Sequence, residues 1–243
     1  MGKAKDIIVK VIPANIANDF VKKRHYSHKI AATGVINFGA FINNKLIGVA
    51  QWGRPINKYL QINLVKNSEW NSFLELNRLV CIDDTPRNTE SRFISICLKL
   101  LKKNAPQIKW VISFADATQC GDGTIYRASG FKLISINDSE QLYKLPNGEK
   151  VHLMALQGGH YSSKRNEMLN SGYTNPKKYM EEVLNGEKLN GKQLKYIYFI
   201  DKSKEKDLTV PIIPFSKIDE MGAGMYKGEK ITRAERHNKI DNK

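Results

Sequence analysis

Within residues 73–115, a helical pattern lies between two apolar patterns that are typical of β-strands. Residues 73–82 (FLELNRLVCI) alternate and then become continuously apolar, and residues 109–115 (KWVISFA) form a second buried strand pattern. Between them, apolar side chains recur at helical spacing from Phe93 to Leu101, and the helix is expected to end near Pro106. Strand, helix and strand in this order form a right-handed crossover, which makes the two strands parallel. The fold is therefore expected to be a mixed α/β (α+β) sheet with a central parallel pair flanked by helices.

The patterns around this unit extend the sheet in both directions. Two β-rich runs joined at Asn43-Asn44 predict a hairpin, because Asn tolerates positive φ. Residues 1–157 are expected to follow the order β-α-β-β-β-α-β-α-β-β. The remaining predictions are strands at 6–12, 35–42, 46–52, 131–136 and 151–156, helices at 15–24 and 124–128, and a loop at 54–72.

The pattern changes after residue 158. Helices are expected near 163–169 and 176–184, a strand at 194–200, and an edge or extended segment at 209–215, which carries two prolines. We therefore expect a catalytic core over residues 1–158 and a C-terminal extension over 159–243 packed on it. From about residue 228 the extension is charged without apolar periodicity, which predicts a flexible tail.

The charge balance favours a polyanionic partner. The chain has 39 Lys+Arg against 24 Asp+Glu, a net charge of +15. The sequence pI is about 9.6, so nucleic acid is the expected partner, and the alternative is a solubility charge on a protein with a small-molecule substrate. Three cysteines without a CxxC spacing argue against a disulfide framework and a cysteine-rich zinc site. No stretch reaches 18 apolar residues, so we expect a cytoplasmic protein with no membrane partner.

The start of the helix inside the crossover is a candidate anion site. Its unpaired backbone N–H groups lie beside two arginines, and the residues expected to bind a cofactor are Arg87, Asn88, Thr89, Ser91 and Arg92. The alternative is an ordinary helix cap on Asn88 or Thr89. The element order resembles the GCN5-related N-acetyltransferase fold, whose corresponding helix receives the pyrophosphate of acetyl-CoA. The resemblance implies acetyl-CoA or a related acyl donor, although Glu90 and Arg92 stand where that fold usually has glycine or alanine.

Further segments resemble, in order, the landmarks of the Mom-type DNA adenine modification family of bacteriophages. They are 23–27 (KRHYS), 74–79 (LELNRL) with 86–92, and 113–117 (SFADA) leading to 121–131 (GDGTIYRASGF). The resemblance covers residues 20–157, and 195–200 and 222–228 are also family-like. It implies conversion of adenine to N6-carbamoylmethyladenine, which shields phage DNA from host restriction. The family's functional positions fall on His25, Tyr26, Arg78, Ser91 and Asp116.

Residue chemistry gives these positions possible roles. Asp116, at the end of a central strand, is the candidate proton acceptor for adenine N6, unless it only holds a turn; Asp122 is a weaker competitor. His25 offers a near-neutral pKa, Tyr26 a phenol or stacking surface, and Arg78 must pair with an anion if buried. His25 and His28 have the i, i+3 spacing of a metal pair, but no carboxylate or cysteine motif is near in sequence, so no metal is predicted.

The candidate DNA contacts are cationic and aromatic side chains in two segments: Lys23, Arg24, Trp52, Arg54 and Lys58. Core packing is the alternative for Trp52, and Cys120 is expected to be a passive thiol. Two other functions fit the same chain. One is an acyl-CoA-dependent N-acyltransferase acting on a protein or small-molecule amine, and the other is a non-catalytic DNA-binding module.

Overall fold

The computed structural model describes residues 3–118, 121–139, 141–157, 163–226, 229–232 and 234–235. Cys120 and most of the tail predicted from residue 228 lie outside these ranges. The strands are β1 (Ile8–Val11), β2 (Gly34–Ile42), β3 (Lys45–Gly53), β4 (Phe73–Cys81), β5 (Trp110–Asp116), β6 (Lys132–Ser139), β7 (Leu142–Lys144), β8 (Lys150–His152), β9 (Glu187–Lys188), β10 (Gly191–Phe199), β11 (Met225–Tyr226) and β12 (Glu229–Lys230).

The helices cover both faces of the main sheet and support a smaller one. They are α1 (Ala14–Arg24), α2 (Lys58–Ile62), α3 (Thr89–Asn104), α4 (Thr124–Ala128), α5 (Met154–Gln157), α6 (Ser163–Asn170), α7 (Pro176–Glu182) and α8 (Ser216–Glu220). None of the described helices is both long enough and apolar enough to span a bilayer.

The main sheet of the described chain has seven strands in the order β1-β2-β3-β4-β5-β10-β6. β4 and β5 are parallel, and the other neighbouring strands are antiparallel. α3 forms the crossover between the parallel strands. The predicted mixed sheet with a central parallel pair is therefore confirmed.

The parallel pair separates along its length. β4 and β5 pair from Phe73 opposite Trp110 to Leu76 opposite Ser113, and the described residues show no pairing beyond that point although both strands continue. The register between β3 and β4 also shifts here, so that Gln51 faces Arg78 and Trp52 faces Leu76, which leaves Asn77 in a bulge. The sheet thus opens at its centre, where polar side chains can gather.

The two faces of the sheet carry different helices. On one face α3 buries Phe93, Ile94 and Cys97 in the cluster that contains Trp52 and Leu76. On the other face α1 packs Ala17 and Val21 against Val49 of β3 and Val80 of β4, and residues 64–65 pack near Phe73. Each fully buried large apolar side chain contributes about 1.5–3 kcal/mol to stability, so both layers fix the position of the opening between them.

The strand that closes the main sheet comes from the C-terminal part of the chain. The prediction of a closing strand at 151–156 is wrong: only 150–152 is extended, and it pairs with β7 in a small sheet of order β8-β7-β9. β10 lies between β5 and β6. Four of its side chains are buried to 1% exposure or less: Leu194, Tyr196, Ile197 and Phe199. A strand so enclosed requires neighbours on both sides.

Local geometry agrees with most of the sequence prediction. Asn43 and Asn44 both have positive φ, at 48° and 60°, which confirms the hairpin turn between β2 and β3. The first strand begins at Ile8, later than predicted, because a short 3-10 helix occupies Lys3–Asp6. The predicted loop at 54–72 contains α2, whose first turn is capped by the Asn57 side chain through the Leu60 N–H.

Candidate active site

His25 lies buried at the end of α1, with 6% of its surface exposed. Its Nδ1 accepts the Ser27 backbone N–H at 3.2 Å, which places the ring proton on Nε2, and the Ser27 Oγ lies 2.8 Å from the same atom. Burial, the Arg78 charge and the His28 charge lower the pKa of His25 to about 4. At neutral pH the ring is therefore an uncharged hydrogen-bond donor and a weak base.

The Tyr26 ring packs against His25, with ring centroids 4.3 Å apart, and is 47% exposed. Because the Tyr26 ring is exposed and packs on the buried His25 imidazole, it provides a stacking surface at the edge of the site.

Arg78 lies on the same face of β4 as Val80, which packs under α1. Its Nε donates to the Lys29 carbonyl at 2.9 Å and its Nη1 to the Asn77 carbonyl at 2.6 Å. The sequence predicted that a buried Arg78 would need an anion. The side chain is half-buried and, within the described ranges, is held by these two carbonyls and forms no ion pair. Its hydrogen bonds therefore go to backbone dipoles, and its charge also acts on the nearby Glu75 carboxyl, whose pKa it lowers.

Gln51 fixes the loop that contacts Arg78. Its amide nitrogen donates to Asn18 Oδ1 at 2.9 Å and to Asn37 Oδ1 at 3.0 Å, and its Oε1 accepts the Ala31 N–H at 3.2 Å. The residue is 1% exposed, so a fully bonded buried amide ties α1, β2 and the loop together. The sequence analysis missed Gln51, and its signal was a polar residue in an apolar strand.

Glu75 lies on β4 at the base of the opening. Burial raises the pKa of its carboxyl to about 7. The side-chain hydrogen bond with Asn77 and the charges of Arg78 and Lys195 have the opposite, smaller effect on this pKa. Lys195 lies on β10 opposite Phe114, with its Nζ 5.5 Å from the centre of that ring, and burial lowers its pKa. The sequence analysis missed this half-buried acid and base, which are polar positions in otherwise apolar strands.

Asp116 is the last residue of β5, and its side chain lies on the same face of the strand as that of Phe114, two residues earlier in the chain. Its Oδ1 accepts the Thr118 N–H at 2.8 Å, which closes a turn. Its charge also reaches His152 of β8, where it opposes the lowering of the pKa of that ring. His25, Arg78 and Asp116 therefore lie on the α1 side of the sheet, and Arg78 and Asp116 both lie beyond the last paired residues of β4 and β5.

Asp122 has a structural environment. It is 3% exposed, and its Oδ1 accepts the Thr124 N–H, the Thr124 hydroxyl at 2.7 Å and the Arg127 guanidinium at 3.0 Å. The Tyr196 hydroxyl donates to its backbone carbonyl. These contacts fix the turn before α4 and favour a structural role for Asp122.

The start of α3 lies on the other side of the sheet. Asn88 adopts φ 67° without a side-chain cap, and Arg87, Asn88 and Arg92 are exposed. The Ser91 hydroxyl donates to the Asn88 carbonyl at 3.2 Å, and Arg92 Nη2 donates to the Lys5 carbonyl at 3.3 Å. The prediction that Thr89 binds a cofactor is wrong: it is fully buried, and both its hydroxyl and its backbone N–H donate to the Pro86 carbonyl.

A sequence comparison identifies the family. The model of the Mom protein family matches residues 6–217. The methylcarbamoylase Mom of Escherichia phage Mu is 31% identical over 210 residues, covering 86% of this chain and 82% of that protein. The chain belongs to the Mom protein family. Since its relative is named for the transfer of a methylcarbamoyl group, this Mom family member is a transferase.

Solved acetyltransferases are distant structural neighbours of this Mom family chain. Arabidopsis thaliana NAA60 in complex with a bisubstrate analogue has a TM-score of 0.46 and 11% identity, covering 79% of this chain and 97% of that one. The ribosomal-protein-S18-alanine N-acetyltransferase from Escherichia coli has a TM-score of 0.43 and 11% identity, covering 80% and 94%.

Two of the predicted DNA contacts of this Mom family chain are wrong. Trp52 is fully buried under α3, because it occupies the inward face of β3. Lys58 is 5% exposed, and its Nζ lies 4.3 Å from the Trp70 ring centre and 5.3 Å from that of Phe73. Cation–π contacts thus hold the ammonium inside the protein.

The other predicted contacts are exposed. Lys23 pairs with Asp19 at 2.8 Å, Arg24 lies over the Phe20 ring, and Arg54 follows the end of β3. The sequence analysis missed an apolar surface beside Arg54, formed by Ile56 (71% exposed), Tyr59 (77%) and Leu60 (66%), with Tyr59 packed on Trp70. In the described part of the chain, no group of three or more His, Cys, Asp or Glu side chains could hold a metal ion.

Proposed function

We propose that this Mom family chain transfers a carbamoylmethyl group to N6 of adenine in double-stranded DNA. The observation that carries the proposal is the grouping of Asp116, Arg78, His25 and Glu75 on one face, at the point where β4 and β5 separate. These residues come from two strands and the end of a helix, and they offer a proton acceptor, a cation and a neutral donor in one opening.

A DNA duplex suits the surface around this opening. The net charge of +15 attracts a polyanion over a long range, and the exposed cations Lys23, Arg24 and Arg54 are on its periphery. Adenine N6 is not accessible to a catalytic pocket within stacked DNA, so the target base must be extruded. Tyr26 offers a ring on which the base can stack. The exposed side chains of Ile56, Tyr59 and Leu60 suit contacts with the exposed base stack.

The chemistry requires removal of one proton from N6. The nitrogen lone pair is delocalised into the purine ring, so N6 is a weak nucleophile. As the new N–C bond forms, Asp116 accepts the N6 proton and the leaving group of the donor departs with the bonding electron pair. Arg78, held by two carbonyls, stabilises a phosphate or a developing negative charge, and His25 donates from Nε2. Glu75 is the second carboxylate able to exchange a proton near neutral pH.

The start of α3 has the charge expected of an anionic donor site. It is the positive end of a 16-residue helix, and Arg87 is exposed beside it. Arg87 and the backbone N–H groups of Glu90 and Ser91 would hold the phosphates of an acyl-CoA, which would supply a two-carbon unit as its thioester. Acetyl transfer alone leaves an acetyl amide, whereas a carbamoylmethyl group is bonded to N6 through its methylene carbon. Carbamoylmethylation therefore requires a donor with a leaving group on that carbon or, starting from acetyl-CoA, both a source of the amide nitrogen and a two-electron oxidant.

One position in this donor site carries negative charge. Burial and then the Glu90 carboxylate raise the pKa of the Cys81 thiol to about 12, so that carboxylate is near the end of β4. Arg87 and Glu90 have opposite charges at this site. Direct binding of acetyl-CoA to the purified chain therefore tests whether the site accepts the donor, separately from the reaction.

The biological role that follows is protection of DNA in the host cytoplasm. A substituent on N6 projects into the major groove, where restriction enzymes read the adenine edge. DNA carrying the modification would lose those contacts and resist cleavage.

Nucleoside mass spectrometry of DNA from cells that express the chain tests this function. We expect deoxyadenosine with one carbamoylmethyl group in place of an N6 hydrogen, and much less of it with Asp116→Asn. An acetylated protein or metabolite with unmodified DNA would instead indicate an N-acyltransferase. Tight DNA binding without any modification would indicate a binding module.

A further inference from the structure

The apolar surface beside Arg54 is formed by side chains that folding leaves in water. Ile56 precedes the cap of α2, Tyr59 and Leu60 lie in its first turn, and each of the three is at least 66% exposed. The other side of the same short helix is the one that packs: Lys58 is buried, and Ile62 contacts the apolar cluster around Phe73. The core therefore does not account for the apolar residues on the outer side of α2.

Ring contacts hold this surface in place. The Tyr59 ring packs on the Trp70 ring, with centroids 5.0 Å apart. The Lys58 Nζ lies 4.3 Å from the centre of the Trp70 ring and 5.3 Å from that of Phe73, the first residue of β4. The apolar surface is thus fixed to the sheet, and an ordered surface loses less conformational entropy when it binds.

The surface lies on the same face of the sheet as the candidate site. Phe73 and Glu75 are two residues apart on β4, so their side chains point to the same face. α2 stands over that face, because Lys58 contacts the Phe73 ring. Gly53, which is paired opposite Glu75, ends β3 three residues before Ile56.

Backbone contacts also connect the surface to Arg78. The Arg54 N–H donates to the Thr33 carbonyl at 3.1 Å. Four residues earlier in the same loop, the Lys29 carbonyl accepts from Arg78 Nε at 2.9 Å. One loop therefore holds both the start of the apolar surface and the cation of the site.

The charges around the surface fit duplex DNA. Arg54 before it and Lys66 after it are exposed. Lys206 is also exposed and lies near Lys66, whose N–H donates to the Asp207 carbonyl at 2.8 Å. Glu69 is the exposed carboxylate of the same segment. Stacked bases are apolar and their backbone is anionic, so an apolar centre with cationic margins is complementary to a duplex.

We propose that the apolar surface beside Arg54 is a wedge that enters the base stack next to the target adenine. Leu60, with Ile56 and Tyr59, occupies the space that the extruded base leaves. The proposal rests on the proposed function for the identity of that base. Unstacking is unfavourable, and inserted apolar side chains offset part of its cost, so the wedge keeps the adenine outside the duplex.

Permanganate mapping of a long DNA fragment tests the wedge without knowledge of the target sequence. Permanganate oxidises the 5,6 double bond of a thymine that has lost its stacking, and the thymine opposite an extruded adenine is such a base. With saturating parent protein and no donor, we expect reactive thymines at discrete positions where bare DNA shows none. The absence of such positions would overturn the proposal.

Substitutions at one exposed position separate an apolar wedge from a surface that only touches DNA. Leu60→Gln should lose at least roughly tenfold of the thymine reactivity at saturating protein, because its polar side chain does not replace base stacking. Leu60→Phe should retain most of the reactivity. Val11→Gln is the matched control, 69% exposed on the edge strand β1, and should match the parent. Thermal midpoints should be unchanged, and parent-level reactivity in Leu60→Gln would overturn the proposal.

Two further measurements identify what the surface binds. Lys66→Gln should reduce the slope of log affinity against log salt by about one, whereas Leu60→Gln should leave that slope unchanged. A parent dimer in sedimentation that dissociates in Leu60→Gln would assign the surface to a contact between two copies and overturn the proposal. Leucine-dependent thymine reactivity without any modified adenine would support the wedge and refute the proposed function. Parent levels of both thymine reactivity and modified adenine in Leu60→Gln would refute the wedge alone.

Discussion

Replacement of Glu75 by Gln should stabilise the protein, and only above mildly acidic pH. Gln has the same size, can accept the hydrogen bond from Asn77 and carries no charge. Burial raises the pKa of Glu75 from an ordinary 4.5 to about 7 in the folded state, so folding favours its protonated form. The Glu75 carboxyl therefore lowers the free energy of unfolding at every pH at which it is ionised in the unfolded chain.

The size and sign of the effect follow from the two pKa values. Below pH 4.5 both states are protonated and the penalty is absent; it grows as pH rises and is complete above about pH 7. The rise of the pKa from 4.5 to about 7 corresponds to about 3 kcal/mol. Glu75→Gln should thus raise the free energy of unfolding by up to about 3 kcal/mol at pH 8 and by little at pH 4.5.

Urea unfolding of the parent and the variant at several pH values measures this difference directly. Glu167→Gln, on the exposed face of α6, is the matched control and should stay within about 0.5 kcal/mol at every pH. An equal gain at pH 4.5 and pH 8, or no gain at pH 8, would refute the reasoning. The activity of the same preparation then shows whether the destabilising carboxylate is retained for the reaction.

Three further outcomes are expected. Arg78→Gln removes a charge that lowers the pKa of His25, so NMR titration should show that pKa rising from about 4 while staying below 6.5, and an unchanged value would contradict the contact. Gly123→Ala should cost at least about 1 kcal/mol more in thermal unfolding than Gly148→Ala, because both have positive φ but only Gly123 would place a Cβ 2.4 Å from the Tyr196 ring; equal costs would contradict this packing. Binding to duplex DNA should weaken steeply with salt as counterions are released, and a flat response would argue against the duplex as substrate.

The central crossover could be predicted from the sequence because its signals are local. The apolar runs of β4 and β5, the helical spacing of α3 and the two asparagines of the hairpin each act within a few residues. The position of β10 depended instead on pairing with β5, which is about 80 residues earlier in the chain. The short alternating run at 151–156 could therefore be mistaken for the closing strand.

The site was predictable only where a residue type and a family landmark coincided. Asp116 and Arg78 were proposed in this way, whereas Glu75 and Gln51 become candidates only when neighbouring strands bury them. Trp52 and Lys58 were instead expected to contact DNA, and the structure buries both of them. An aromatic residue and a cation next to a loop have the same sequence pattern at a DNA surface and in a core, and only the face of the strand and the ring contacts of Lys58 decide between them.

The yield of modified adenine per folded molecule in Asp116→Asn tests the central claim most directly. Asn keeps the size of the side chain and an oxygen that can accept the Thr118 N–H, while the charge that accepts the N6 proton is lost. With thermal midpoint and DNA affinity measured on the same preparation, the account predicts a loss of roughly a hundredfold or more at unchanged DNA affinity. A yield within a few-fold of the parent would contradict it and leave Glu75 as the carboxylate that accepts the proton.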